Sequence, residues 1–140
     1  MTSFVEKNGS CLCGLTRFTA KLNPTNASAC HCSNCQKWCG GPFVSIDCGT
    51  SFSVTDDSQI AVFESSSWAE RGFCRKCGSH LYYRIKEANQ YEVPVGLFDE
   101  LEDFELKCQV FIDAKPLFYS FANETSDMTA AEVFAKYAPT

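Results

Sequence analysis

Ten cysteines in 140 residues, seven of them in three tight clusters, constrain this chain more than any other feature. The clusters are Cys11-Leu-Cys13, Cys30-His-Cys32-Ser-Asn-Cys35 and Cys74-Arg-Lys-Cys77. A disulfide framework spreads its cysteines to close loops. A metal site instead needs pairs whose thiolates converge on one ion about 2.3 Å away. The opening Met-Thr-Ser-Phe-Val-Glu-Lys-Asn-Gly-Ser has no basic segment leading into an apolar one. A cytoplasmic setting is therefore the expectation, and thiols stay reduced there. Metal ligation is expected over disulfide bonding. Cys48 and Cys108 stand apart from the clusters and read as small buried hydrophobes.

The rest of the composition excludes several classes. The length suits one domain spanning residues 1–140. Apolar residues make up 45% of it, with 12 Phe, 5 Tyr and 2 Trp, enough to bury a core. Twelve basic residues against 17 acidic ones give a net charge of −5. That balance argues against nucleic acid and anionic membranes as partners, because phosphate contact rewards clustered Lys and Arg. No stretch approaches the roughly 20 apolar residues of a membrane helix.

The pattern along the chain is that of short strands broken by turns. Residues 15–22 alternate, with Thr16, Phe18, Ala20 and Leu22 on one face, and Asn23-Pro24-Thr25-Asn26 reads as a turn. A second strand is expected from Pro42 to Cys48. Phe52–Val54 and Ile60–Phe63 flank a hairpin-like turn at 55–58, and Leu81–Ile85 pairs with Tyr91–Val95 around residues 86–90. Pro94 would then lie at an edge or a bulge. Lys107–Asp113 closes the strand series, and the acidic run 99–103 reads as a solvated loop face. Only the tail reads as helix: Asp127 or Thr129 caps 130–137, ahead of Pro139. The expected fold is mainly β, with metal knuckles in its loops and a short C-terminal helix.

The spacings separate two metal sites. In Cys74-Arg-Lys-Cys77-Gly78 a tight turn aims two thiolates at one ion, and Gly78 permits the backbone that follows. Cys11 and Cys13, followed by Gly14, complete a tetrahedron. This closed site is expected to be structural, its binding energy forming part of the folding energy. Cys30, Cys32 and Cys35 offer three sulfurs, which suggests a catalytic ion with one open position. Two residues lie close enough to close that position. His31 sits between two ligands, and in an extended segment its side chain points away from the ion. Cys39 follows Cys35 by one helical turn and is within reach of the metal. Gly40 and Gly41 come next and leave the surroundings of the ion free of side chains. The expectation is that Cys39 is not a permanent ligand.

Three segments carry a wider resemblance. Gly9-Ser-Cys-Leu-Cys-Gly14 is one. Cys30-His-Cys-Ser-Asn-Cys35 with Gly40-Gly41-Pro-Phe43 is another, and Arg71-Gly-Phe-Cys-Arg-Lys-Cys-Gly-Ser79 is the third. They resemble the signatures of the glutathione-dependent formaldehyde-activating family, which includes centromere protein V. Val110–Tyr119 resembles that family's ending, so the likeness runs from about residue 9 to 120. It implies a β-tent of twisted antiparallel sheets. It implies two zinc ions (Zn2+): a structural one on Cys11, Cys13, Cys74 and Cys77, and a more labile catalytic one on Cys30, Cys32 and Cys35. The activity implied is carbon–sulfur lyase chemistry on a thiol–aldehyde adduct, with glutathione and formaldehyde as partners. A zinc ion in the open site holds a thiol as thiolate at neutral pH, far below its usual pKa of about 8.5.

Glutathione carries two carboxylates, for which Lys37, Arg71, Arg75, Lys76 and Arg84 are the candidate partners. His31 and His80 are the only imidazoles and the candidate proton shuttles. The chain departs from the family where Gln36-Lys37-Trp38-Cys39 replaces the more usual paired basic residues. Two other readings stand beside the enzyme: a non-catalytic zinc-stabilised binding module, and a thiol redox sensor with Cys39 as resolving partner.

Overall fold

The computed structural model describes residues 4–23 and 25–137; Pro24 of the expected turn and Pro139 after the expected helix lie outside these. Eleven strands and two helices are present among them. In chain order they are β1 (Val5–Ser10), β2 (Arg17–Leu22), β3 (Asn26–Cys30), α1 (Ser33–Cys39), β4 (Phe43–Gly49), β5 (Ser53–Val54) and β6 (Ile60–Phe63). There follow β7 (Ala69–Cys74), β8 (His80–Ile85), β9 (Gln90–Pro94), β10 (Glu105–Val110), β11 (Ser126–Met128) and α2 (Ala130–Tyr137). The chain forms two compact units, each discontinuous in sequence. One takes the chain up to 25 together with 46–103; the other takes 26–45 together with the chain from 104 on.

In the first unit β1, β2 and β5 form a three-stranded antiparallel sheet. The alternation read from the sequence is realised in β2, where Phe18, Ala20 and Leu22 are buried and Arg17 and Lys21 face solvent. Strands β6, β7, β8 and β9 follow as an antiparallel meander. Its last hairpin pairs Tyr83 with Glu92 and Ile85 with Gln90, as expected, around a turn in which Asn89 takes a left-handed φ of 51°. Phe18 meets Phe98 edge-on at 5.2 Å and Phe52 at 5.0 Å, and Phe52 continues onto Tyr82 and Tyr91. Burial of large rings in offset and edge-on contacts adds to the cohesion here.

In the second unit β3, β10 and β11 run parallel, with Cys30 opposite Val110 and Val110 opposite Met128. Parallel neighbours need long connections, and 74 residues separate the end of β3 from the start of β10. α2 begins where expected. The Thr129 hydroxyl accepts from the Glu132 N–H (3.2 Å) and the Glu132 carboxylate from the Thr129 N–H (2.9 Å), a reciprocal cap.

Several details differ from the sequence reading. Phe52–Val54 and Ile60–Phe63 do not pair with each other: β5 joins β2, while β6 joins β7 along its full length. The ring of Phe52 enters the aromatic cluster, which leaves β5 only two residues long. Pro94 lies neither on an edge nor at a bulge; it ends β9 and leads into the 3-10 turn Val95–Leu97. The strand expected to reach Asp113 stops at Val110, because Phe111 turns left-handed (φ 55°) into the 3-10 turn Ile112–Ala114. β1, β3, β7, β11 and α1 were not foreseen. The acidic run 99–103 is exposed as expected, but Asp103 also pairs at 2.6 Å with the buried Lys7, which holds its carboxyl below the usual range.

Gly9 marks a close approach: a Cβ there would lie 2.4 Å from the Leu97 carbonyl oxygen and 2.5 Å from the Phe18 ring. A Cβ at Gly41 would meet nothing within 4 Å. Gly9→Ala is therefore expected to cost about 1–3 kcal/mol, with Gly41→Ala near neutral. Equal melting midpoints for the two variants in a thermal scan would contradict this packing.

Candidate metal centres

Two turns of the same form build the first cluster. Cys11 follows β1, and Cys74 is the last residue of β7. In each turn a glycine N–H returns to the first cysteine's carbonyl: Gly14 to Cys11 at 3.1 Å, Gly78 to Cys74 at 2.7 Å. Both glycines take left-handed φ, 81° and 79°, which a side chain would oppose. In each turn a backbone N–H also points at a sulfur, Thr16 at Cys11 Sγ (3.4 Å) and Cys77 at Cys74 Sγ (3.5 Å). The result is that the four sulfurs of Cys11, Cys13, Cys74 and Cys77 all lie within 4.8 Å of one another.

The donor set fits a tetrahedral zinc. Four sulfurs about 2.3 Å from one ion stand about 3.8 Å apart; Cys13 and Cys74 are 3.8 Å apart and Cys11 and Cys13 3.5 Å. Cys11 and Cys74 are buried and Cys13 is exposed. Ser79, not singled out by the sequence reading, ties the two turns together. Its hydroxyl oxygen accepts from the Leu12 N–H (3.0 Å) and lies 3.2 Å from Cys77 Sγ. Its hydrogen bond lowers the Cys77 thiol to about 5. A Cys-x-x-Cys-Gly-Ser run was the available signal for it.

The second cluster sits where β3 runs into α1. Cys30 ends β3, Cys32 is the N-cap residue of α1, and Cys35 lies in its first turn. These three sulfurs also lie within 4.8 Å of one another. Cys32 Sγ accepts from the Cys35 N–H (3.3 Å), so one sulfur both caps the helix and faces the cluster. Hydrogen bonds with Cys32 and Cys35, together with burial, push the Cys30 thiol up. α1 ends at Gly40, whose N–H returns to the Gln36 carbonyl (2.8 Å) and whose φ is 77°.

The remaining candidates are dispersed. His31 is fully buried and its ring is bonded to Gln109 and Tyr119, not turned to the cluster. Cys39 is half-buried at the end of α1. Lys37, Arg75 and Lys76 are exposed. Arg84 is bound to Glu70 and Asn89, and Arg71 is buried with its guanidinium 4.8 Å from the Tyr83 ring. The Gln36 amide donates to the carbonyls of His31 (2.7 Å) and Ala114 (3.0 Å), which uses both of its hydrogens. His80 is half-buried at the start of β8, where burial and then Arg71 lower its pKa. Cys48 is a buried hydrophobe as expected, its thiol pushed up by burial, whereas Cys108 on β10, expected to be the same, is only half-buried.

Fold and sites together define a mainly β protein with two cysteine clusters able to hold metal ions. A model of the glutathione-dependent formaldehyde-activating enzyme family matches residues 6–114. An uncharacterized lyase of Schizosaccharomyces pombe is 39% identical over 129 residues, covering 91% of this chain and 94% of that one. A putative glutathione-dependent formaldehyde-activating enzyme of Podospora anserina is 33% identical over 94 residues, 64% of this chain and 44% of its own. A crystal structure of a Rhodobacter sphaeroides protein shares the fold, with a TM-score of 0.57 at 22% identity over 66% of this chain and 87% of that one. The chain belongs to the glutathione-dependent formaldehyde-activating enzyme family.

Removing one sulfur from the four-cysteine cluster should leave an ion poorly held and cost several of the roughly 10–16 kcal/mol that such sites contribute. Cys77→Ser is expected to lose metal to a mild chelator and to melt early or precipitate. Full metal content with an unchanged melt would contradict the assignment.

Proposed function

We propose that this chain is a zinc-dependent carbon–sulfur lyase acting on the adduct of a small thiol, glutathione or one like it, with formaldehyde. The Cys30, Cys32 and Cys35 cluster is its catalytic centre, and Cys11, Cys13, Cys74 and Cys77 hold a structural ion. The observation that carries this reading is the difference between the clusters. Four sulfurs close a tetrahedron; three leave one position for a substrate. The names of the relatives, a lyase and a putative formaldehyde-activating enzyme, support the same chemistry. A cytoplasmic setting, where thiols stay reduced, suits it.

A zinc ion bound there supplies positive charge that favours the thiolate form of a bound thiol. The chain's own residues do the rest. Cys30 and Cys32, alternate residues of an extended segment, present their sulfurs on one side, and α1 brings Cys35 to meet them. Gly40 and Gly41 leave open space past the helix, with nothing within 4 Å of where either Cβ would stand. The thiol sulfur forms a bond to the formaldehyde carbon, and the thiol proton ends on the former carbonyl oxygen; the lyase direction reverses both changes. Lys37, exposed on α1, is the candidate partner for a substrate carboxylate. Gln36 is not, because both amide hydrogens are already given.

Two results are expected. Cys32→Ala should reduce adduct formation to the uncatalysed rate while shifting the melting midpoint by only a few degrees, since its sulfur joins residues close to it in sequence; a melt as early as that of Cys77→Ser would make both sites structural. In cobalt-substituted protein, glutathione should change the visible absorption as its thiolate enters the open position. An unresponsive wild type beside a responsive Cys39→Ala would mean that Cys39 closes the site, and would point to a non-catalytic module.

A further inference from the structure

The Cys30–Cys35 cluster is built around a residue that is not one of its three sulfurs. His31 is fully buried, and each of its polar groups is engaged. Its N–H donates to the Val110 carbonyl (3.1 Å), and its own carbonyl accepts from Gln36 Nε2 (2.7 Å). In the ring, Nε2 lies 2.8 Å from Gln109 Oε1 and Nδ1 lies 3.3 Å from the Tyr119 hydroxyl.

The direction of these bonds is set from the far end of the network. The Thr125 hydroxyl donates to the Asp127 carboxylate (2.6 Å), so toward Gln109 it offers only lone pairs. The Gln109 amide nitrogen donates to that oxygen (2.9 Å), which turns its carbonyl oxygen toward His31. A carbonyl oxygen accepts, so the ring proton sits on Nε2. Nδ1 is then the acceptor, and the Tyr119 hydroxyl donates to it. A second feature supports the same scaffold. Phe111, a bulky residue, holds left-handed angles (φ 55°, ψ 42°) directly after Val110. Such a conformation persists only where the surroundings enforce it. Here it turns the chain so that the Ala114 carbonyl accepts from the same Gln36 amide.

We propose that His31 is the positioning residue of the three-sulfur cluster, held in one tautomer and one orientation by Gln109 and Tyr119. In an extended segment side chains alternate, so Cys30 and Cys32 share the side opposite to the imidazole. Rotating the backbone at residue 31 would swing both sulfurs. The anchored ring prevents it, because rotation would leave buried donors and acceptors unpaired. Gln109 and Tyr119, 78 and 88 residues away in sequence, therefore fix the geometry of the open site. This rests on the reading of that cluster as a metal centre.

The test uses the full chain loaded with cobalt. Gln109→Leu is expected to alter the visible absorption from the three-sulfur site and to speed its cobalt loss to a chelator by about tenfold or more, the usual scale for outer-shell partners. Cobalt at the four-sulfur site should stay as in wild type. His31→Gln, which keeps an N–H near the position of Nε2, should be milder than His31→Leu. If Gln109→Leu does not fold, Thr125→Val, which removes the acceptor for the Gln109 amide together with the Thr125–Asp127 hydrogen bond, should move spectrum and release in the same direction. Nitrogen NMR of wild type should show the His31 proton on Nε2. A proton on Nδ1, or unchanged spectra and release rates in the variants, would overturn the proposal alone. A wild type that binds one cobalt per chain would overturn the reading of the site and this inference with it.

Discussion

Four sulfurs from residues 11, 13, 74 and 77 meet within 4.8 Å, and the first unit is arranged to let them meet. Four thiolates this close would repel one another, so positive charge among them would favour the arrangement. A divalent ion held there would neutralise that repulsion and join two turns 61 residues apart in sequence. The same demand explains local details that look unrelated. Gly14 and Gly78 take left-handed backbone angles, two backbone N–H groups point at sulfur, and Ser79 bridges Leu12 to Cys77.

The second cluster meets a different demand. Its three sulfurs lie within six residues of one another, so the cluster itself staples little chain. Its support is polar: a directed series of hydrogen bonds from Asp127 through Thr125 and Gln109 to His31 and Tyr119. An ion at the first site would contribute to folding through its charge. The other has beside its sulfurs a scaffold of hydrogen bonds made within the protein.

Short-range patterns were legible. Cysteine spacing marked the ligand pairs and the triad, because cysteines on one turn converge by local geometry. The alternation of Thr16 to Leu22 marked β2, and Thr129 with Glu132 marked the start of α2. Helix α1 was not legible as an element: Ser33 to Cys39 is seven residues long, only Cys35 is buried, and no apolar period announces it. The pairing of β5 with β2 was equally hidden, because the ring contacts of Phe52, not the intervening turn, decide it.

His31 shows where the division falls. The sequence placed it between two ligands and turned its side chain away from them, since alternation in an extended segment requires nothing beyond the neighbouring residues. Only the tertiary structure decided what the ring turns toward. Gln109 and Tyr119 reach it because β10 lies parallel to β3 across a long crossover and because Phe111 reverses the chain at its end. The sequence by itself determined which atoms are able to bind metal, a property of residue type and near-neighbour spacing. How firmly each set is held depends on partners tens of residues away, and that was left to the packing of the strands.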